Sequence, residues 1–233
     1  MPDLKPLDNP IWNALNTEHS TLALGDGSAR RYPADIGPLS GLADQSDASY
    51  EALRELGGLD GMVGLFLTEP PVLRPGWTLI RGGELDQMIC MNPESLSTAP
   101  MPPNATCRLL IPADVPEMVA LAELTEPGPF RNRTIELGVF YGIFDSARLV
   151  AMAGQRLHLP EFVEVSAVCT HPDARGRGYA RALMAQVIQE MQQRGKTPIL
   201  HTFADNQPAI RVYEGLGFTL RRTLHLAVLK NEA

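Results

Sequence analysis

The stretch HPDARGRGYARALMAQVIQEM (residues 171–191) places two glycines and three arginines directly ahead of a regular apolar pattern. From Tyr179 onward, Ala180, Leu183, Met184, Val187, Ile188 and Met191 recur at helical spacing, and Gly195 follows as a stop. Just upstream, EFVEVSAVCT (161–170) alternates Val163, Val165, Ala167 and Cys169 with Glu164, Ser166, Val168 and Thr170, the period of two of a strand. PILHTF (198–203) is a second strand after the helix. Strand, four-turn helix and strand make a right-handed parallel crossover. The glycine turn then sits where open α/β sheets bind ligands, at the carboxyl end of a strand. A helix start exposes unpaired N–H groups and partial positive charge, so the turn suits an anion. Arg175, Arg177 and Arg181 suit more than one phosphate. The plainer alternative is an ordinary turn with a solvated arginine rim.

Spacing excludes three competitors. No GxxxxGK[ST] string occurs, the third position of a dinucleotide G-x-G-x-x-G is Arg181, and an RGG-type RNA segment would repeat. Composition narrows the class further. Over 233 residues, 44% hydrophobic and 20% charged usage is ordinary for a folded chain. A net charge of -7 argues against general nucleic-acid binding. No apolar run approaches the ~20 residues of a membrane span and the first residues lack signal-peptide order, so a cytoplasmic protein without membrane association is expected. Cys90, Cys107 and Cys169 are unclustered, which predicts free thiols and no metal site.

MNPESLSTAPMPPNATC (91–107) reads as a linker. A boundary near residue 103 is therefore expected, between a small α+β unit (1–103) and a second domain (104–233). In the first unit, NPIWNALN predicts a helix capped by Asn9, SDASYEALRELGG a helix ending at Gly57, and GMVGLFL, WTLIRG and LDQMICM three short strands. After it, RLLIPADVPEMVALAEL predicts a strand and a helix with Asp114 and Glu117 as capping pair. GVFYGIF and ARLVAMAGQRLH predict a hairpin.

The turn ARGRGYA satisfies the R/Q-x-x-G-x-G/A pattern through Arg175, Gly178 and Ala180, and NQPAIRVYEGLGF (206–218) follows about 25 residues later. Together they resemble the two signatures of the GNAT superfamily of acyl-CoA-dependent N-acyltransferases. The similarity runs from Cys107 to Lys230. It implies an α/β (α+β) fold, a mixed twisted sheet flanked by helices, whose fourth and fifth strands splay to admit the pantetheine arm of CoA. The N-terminal unit is vaguely similar to a degenerate, non-catalytic GNAT half. The resemblance implies acetyl-CoA as acyl donor and no metal, with Val168, Cys169, Thr170, Arg175, Gly176, Arg177, Gly178, Tyr179, Ala180 and Asn206 as its binding residues. Tyr213 occupies the family position whose phenol protonates the CoA sulfur. Glu164 is the first choice for the base that takes the amine proton, with the alternative that it only anchors an ammonium or faces solvent; His201 and Glu126 are weaker candidates. The loop TEPGPFRNRTIELG (125–138) corresponds to acceptor-binding loops, so Glu126, Phe130, Arg131 and Arg133 are candidate acceptor residues. Cys169 is left as a buried thiol.

The expected activity is direct transfer of an acetyl group from acetyl-CoA to a primary amine of a small molecule or amino acid. The N-terminal unit would shape the acceptor site or the contact of a homodimer. The alternatives are a non-catalytic acyl-CoA-binding or sensory module, and a protein or peptide lysine acetyltransferase.

Overall fold

The computed structural model describes residues 2–57, 61–92 and 106–232. Ten strands and five α-helices follow the order α1 (Pro10–Asn16), β1 (Ala29–Arg31), β2 (Ser40–Leu42), α2 (Asp47–Glu55), β3 (Met62–Leu67), β4 (Trp77–Ile89), β5 (Thr106–Leu109), α3 (Val115–Thr125), β6 (Phe140–Asp145), β7 (Arg148–His158), β8 (Phe162–Thr170), α4 (Tyr179–Gln193), β9 (Thr197–Phe203), α5 (Gln207–Glu214) and β10 (Thr219–Asn231). Eight strands form one sheet in the order β3-β10-β4-β9-β8-β7-β6-β5, and β1 and β2 form a separate ribbon. Only β8 and β9 run parallel among the paired strands of that sheet. The expected boundary near residue 103 lies outside the described residues. The sheet is continuous across it, because β4 is inserted between β9 and β10.

The crossover helix α4 buries Leu183, Met184, Val187, Ile188 and Met191 completely against β6, β7 and β8. Each such side chain contributes about 1.5–3 kcal/mol on leaving water, so this stripe fixes the helix to the sheet. Met118, Leu121 and Ala122 of α3 pack on Phe140, Met152, Ala167 and Cys169. Leu7, Ile11 and Leu15 of the N-terminal segment pack with Phe162, Ile199 and Leu224. The N-terminal segment therefore covers strands of the second half directly.

Several local expectations change. WTLIRG and LDQMICM join into the single strand β4, which runs straight through Gly82 and Gly83. A side chain at Gly83 would meet the Phe203 ring at 3.1 Å, so the glycine marks close packing where a break was expected. Asn9 does not cap α1; its amide donates to the Leu42 carbonyl at 2.7 Å. Asp114 and Glu117 do not form a reciprocal cap. Asp114 accepts from both terminal nitrogens of Arg108 at 2.7 Å, and Glu117 accepts from the Leu149 amide at 2.9 Å. The strict alternation read for β8 is broken by a bulge, since Met152 pairs with Cys169 but Gly154 with Ser166. Ala167 takes φ +52° there. The bulge switches faces: Val163 and Val165 pack with α4, whereas Ala167 and Cys169 pack with α3.

Candidate active site

The parallel pairing of β8 and β9 is short. Phe162, Val163 and Glu164 register with Thr197, Pro198 and Ile199, and the ladder stops there. Beyond it β8 stays paired with β7 as far as Thr170, and β9 stays paired with β4 as far as Phe203. Each strand follows its outer neighbour, so a wedge opens between them. The wedge is the mouth of a cleft of about 400 Å³ lined by Val165 to Val168 from β8, Leu200 to Phe203 from β9, and Asn206, Ala209 and Tyr213 around α5. Residues far away in sequence also line it: Pro38, Leu39, Phe66, Arg81 and Val228.

At the outer end of β8 the chain passes through residues 171–178 into α4. Gly176 and Gly178 hold φ +76° and +79°, a conformation that side chains resist, so the expected role of both glycines has a backbone cause. The first helical bond is from Ala182 to the Gly178 carbonyl. Among the described residues, no acceptor takes the amides of 176–181, which leaves a row of N–H groups at the positive end of a 15-residue helix. Arg175 and Arg177 are exposed beside it, and Arg181 donates to the Gly215 carbonyl at 3.1 Å, tying α4 to the end of α5. The turn and the cleft are thus complementary to a ligand with a polyanionic head and a slender arm.

Tyr213 lines the cleft with its ring 6.5 Å from that of Phe218. Burial raises the pKa of its phenol, which keeps the proton on oxygen until a stronger base arrives. Asn206 caps α5 by accepting from the Ala209 amide at 3.4 Å and also lines the cleft. Val168 is in the cleft wall, while Cys169 packs under α3. Burial pushes the Cys169 thiol up to about 11, so it is no thiolate nucleophile.

Glu164 is completely buried and fully engaged. Arg156 donates to it twice, Nε to Oε2 at 2.8 Å and Nη2 to Oε1 at 2.6 Å, and His201 Nδ1 lies 2.7 Å from Oε1. Burial alone would raise its pKa, but Arg156 and His201 outweigh it and hold the carboxylate well below its usual range. Such a carboxylate is a poor proton acceptor. Glu164, expected as the amine base, therefore stands among partners that favour its ionised form.

His201 is held as firmly on its other side. Gln87 Nε2 lies 2.9 Å from His201 Nε2 and 2.9 Å from the Leu7 carbonyl, while Gln87 Oε1 accepts from Arg221 at 2.7 Å. The amide orientation of Gln87 is therefore fixed, and His201 accepts at Nε2 and donates from Nδ1. Arg221 also donates to Asp8 at 2.7 Å. The row Arg221, Gln87, His201, Glu164, Arg156 takes one residue from each of five adjacent strands, β10, β4, β9, β8 and β7.

The acceptor-loop residues separate. Glu126 ends α3 in the left-handed conformation, φ 49°, and lines the cleft. Phe130 is buried edge-on to Phe140 at 5.7 Å. Arg131 is exposed at a separate recess with Asp35 and Glu123. Arg133 is committed to Glu136 at 2.7 Å and Asp35 at 3.2 Å and is no part of the cleft lining. Residues that the sequence did not nominate take their place: Phe66, Arg81 and Arg156. For Arg156 a signal existed, a charge inside the apolar run of β7, which requires a buried partner on a neighbouring strand.

A short parallel pair that splays over a glycine-rich helix start is the architecture of acyl-CoA-dependent acyltransferases. Comparison with known proteins agrees. Residues 140–226 match the family model "FR47-like protein". A crystal structure of a GNAT-family protein from Novosphingobium aromaticivorans DSM 12444 is 40% identical, covering 98% of this chain and 99% of that one with a TM-score of 0.88. Mycothiol acetyltransferase of Corynebacterium aurimucosum is 42% identical over 62 residues, 26% of this chain and 20% of the relative. That of Arthrobacter sp. (strain FB24) is 28% identical over 146 residues, 53% of this chain and 45% of the relative. The matches thus span less than half the length of these two curated relatives. The chain belongs to the GNAT family.

Proposed function

We propose that the chain is an N-acetyltransferase that moves an acetyl group from acetyl-CoA directly to a primary amine of a small molecule. The observation that carries this is the loss of β8–β9 pairing beyond Glu164 and Ile199, next to the free amides of 176–181. The amides and Arg175 would hold the pyrophosphate, main-chain groups of Val168 to Thr170 the pantetheine amides, and Asn206 a further contact. Naming of the mycothiol acetyltransferases supports acetyl as the acyl group. The cleft volume of about 400 Å³, with Pro38, Leu39 and Phe66 in its lining, supports a small acceptor over a protein chain.

The acceptor ammonium first gives one proton to solvent, with Glu126 as the unpaired carboxylate that attracts it to the cleft. Its nitrogen then bonds to the acyl carbon as the C–S bond breaks. Tyr213 delivers a proton to the departing sulfur and is restored by the second proton of the amine nitrogen. The sum is ammonium plus acetyl-CoA giving acetamide, CoA and one released proton.

Calorimetric titration of acetyl-CoA tests the reading. One site per chain is expected, weakened about tenfold by Arg175→Ala, the size of one charge-assisted contact. Absence of binding at millimolar ligand would overturn it.

A further inference from the structure

Three charged side chains, Arg81, Glu126 and Arg156, are among the residues that line the cleft. Arg156 is already balanced by Glu164 at 2.6 Å. Arg81 and Glu126 are exposed at the cleft and free of protein partners: among the described residues, neither side chain makes an ion pair or a hydrogen bond. They come from opposite halves of the chain, Arg81 from β4 and Glu126 from the end of α3. The Arg81 guanidinium lies 4.9 Å from the centre of the Phe203 ring. Stacking of this kind uses the planar face and leaves the N–H edge available, in the fork geometry that matches a carboxylate. Arg81 is exposed and lines the cleft. Two uncompensated charges of opposite sign in one small cleft are the complement of a zwitterion.

We infer that the acceptor is an amine that itself carries a carboxylate, an amino acid in the broad chemical sense, with Arg81 as the residue that selects the carboxylate and Glu126 the one that draws the ammonium. This rests on the acetyltransferase reading above and adds the substrate class. It also relocates carboxylate recognition from Arg131 and Arg133, which lie outside the cleft lining, to a residue of the N-terminal half.

The test is thiol release from acetyl-CoA with matched acceptors: amino acids, their carboxamides and the corresponding decarboxylated amines. The wild type should favour the carboxylate form by about tenfold to a hundredfold in kcat/KM, the range for a charge-assisted hydrogen bond. In Arg81→Ala this ratio should collapse towards one through KM, with Arg81→Lys intermediate, while acetyl-CoA affinity measured by calorimetry is retained. Glu126→Gln should raise KM for every amine. A carboxylate preference that survives Arg81→Ala, or a preference for the uncharged partners, would overturn the inference and leave the acetyltransferase reading standing. Failure to bind acetyl-CoA would overturn both.

Discussion

Replacing Glu164 should cost the protein more stability than any other single change at the cleft. Glu164→Ala leaves Arg156 with two lost charge-assisted bonds and the His201 Nδ1–H without its acceptor, with Glu164 and the His201 side chain buried and Arg156 largely so. Removing one partner of a buried pair costs about 3–5 kcal/mol, and the orphaned imidazole donor adds about 1 kcal/mol or more. For a chain of this size, ~4–6 kcal/mol corresponds to a fall in Tm of roughly 10–20 °C. The double variant Arg156→Met with Glu164→Gln should be less damaged than Glu164→Gln alone, because it buries no unpaired charge. Acidity gives a second handle. The folded pKa of Glu164 lies below the unfolded one, since Arg156 and His201 overcome the opposing effect of burial. Its stabilisation is therefore complete above the ordinary glutamate pKa of about 4.3 and is lost as pH falls towards the folded value. Urea unfolding followed by circular dichroism should show a gap between wild type and Glu164→Gln that is constant from neutral pH to about 5.5 and narrows below about 4. A loss under ~1 kcal/mol for Glu164→Ala, or additive losses in the double variant, would refute the reasoning.

Two further outcomes are expected. Tyr213→Phe removes only a hydroxyl, so acetyl-CoA affinity should persist while kcat falls by about a hundredfold or more, the usual worth of a positioned proton donor; stopped-flow thiol detection reads it, and an unchanged kcat would remove Tyr213 from the chemistry. Gly154→Ala would place a methyl 2.2 Å from the Phe140 ring in the α3 cluster, and overpacking of this kind should lower stability by about 1–3 kcal/mol by thermal unfolding.

The second half was largely legible because its signals are local. Alternation in β8, the apolar stripe of α4 and the Asn206 cap each lie within a short window, and the glycines of the turn stand where the backbone needs them. The expected β8 alternation failed only at Ala167, where a bulge costs one residue and leaves no compositional mark. Long-range pairings were not legible. Nothing in LDQMI says that Gln87 faces His201, and nothing in WTLIRG says that Arg81 stacks on Phe203 of β9. For Glu164 the sequence revealed a polar residue in a cofactor strand but not its neighbours, and the neighbours decide whether a carboxylate takes protons or holds a fold together. The arginines of 125–138 looked available for the same reason; Glu136 and Asp35 had already engaged one of them.

The place of β10 has a consequence for how the molecule comes into being. Its partners in the sheet are β3 and β4, so a strand made more than a hundred residues later completes a structure begun by those two. Until it arrives, β3 and β4 have no shared neighbour and β4 offers one side unpaired, so closure must wait for β10. A fragment starting near residue 104 would carry β10 with neither neighbour and leave β9 as a bare edge, a surface that recruits strands from other molecules. Expression of that fragment should give aggregates, and co-expression of the two halves is the arrangement that supplies each edge with its mate.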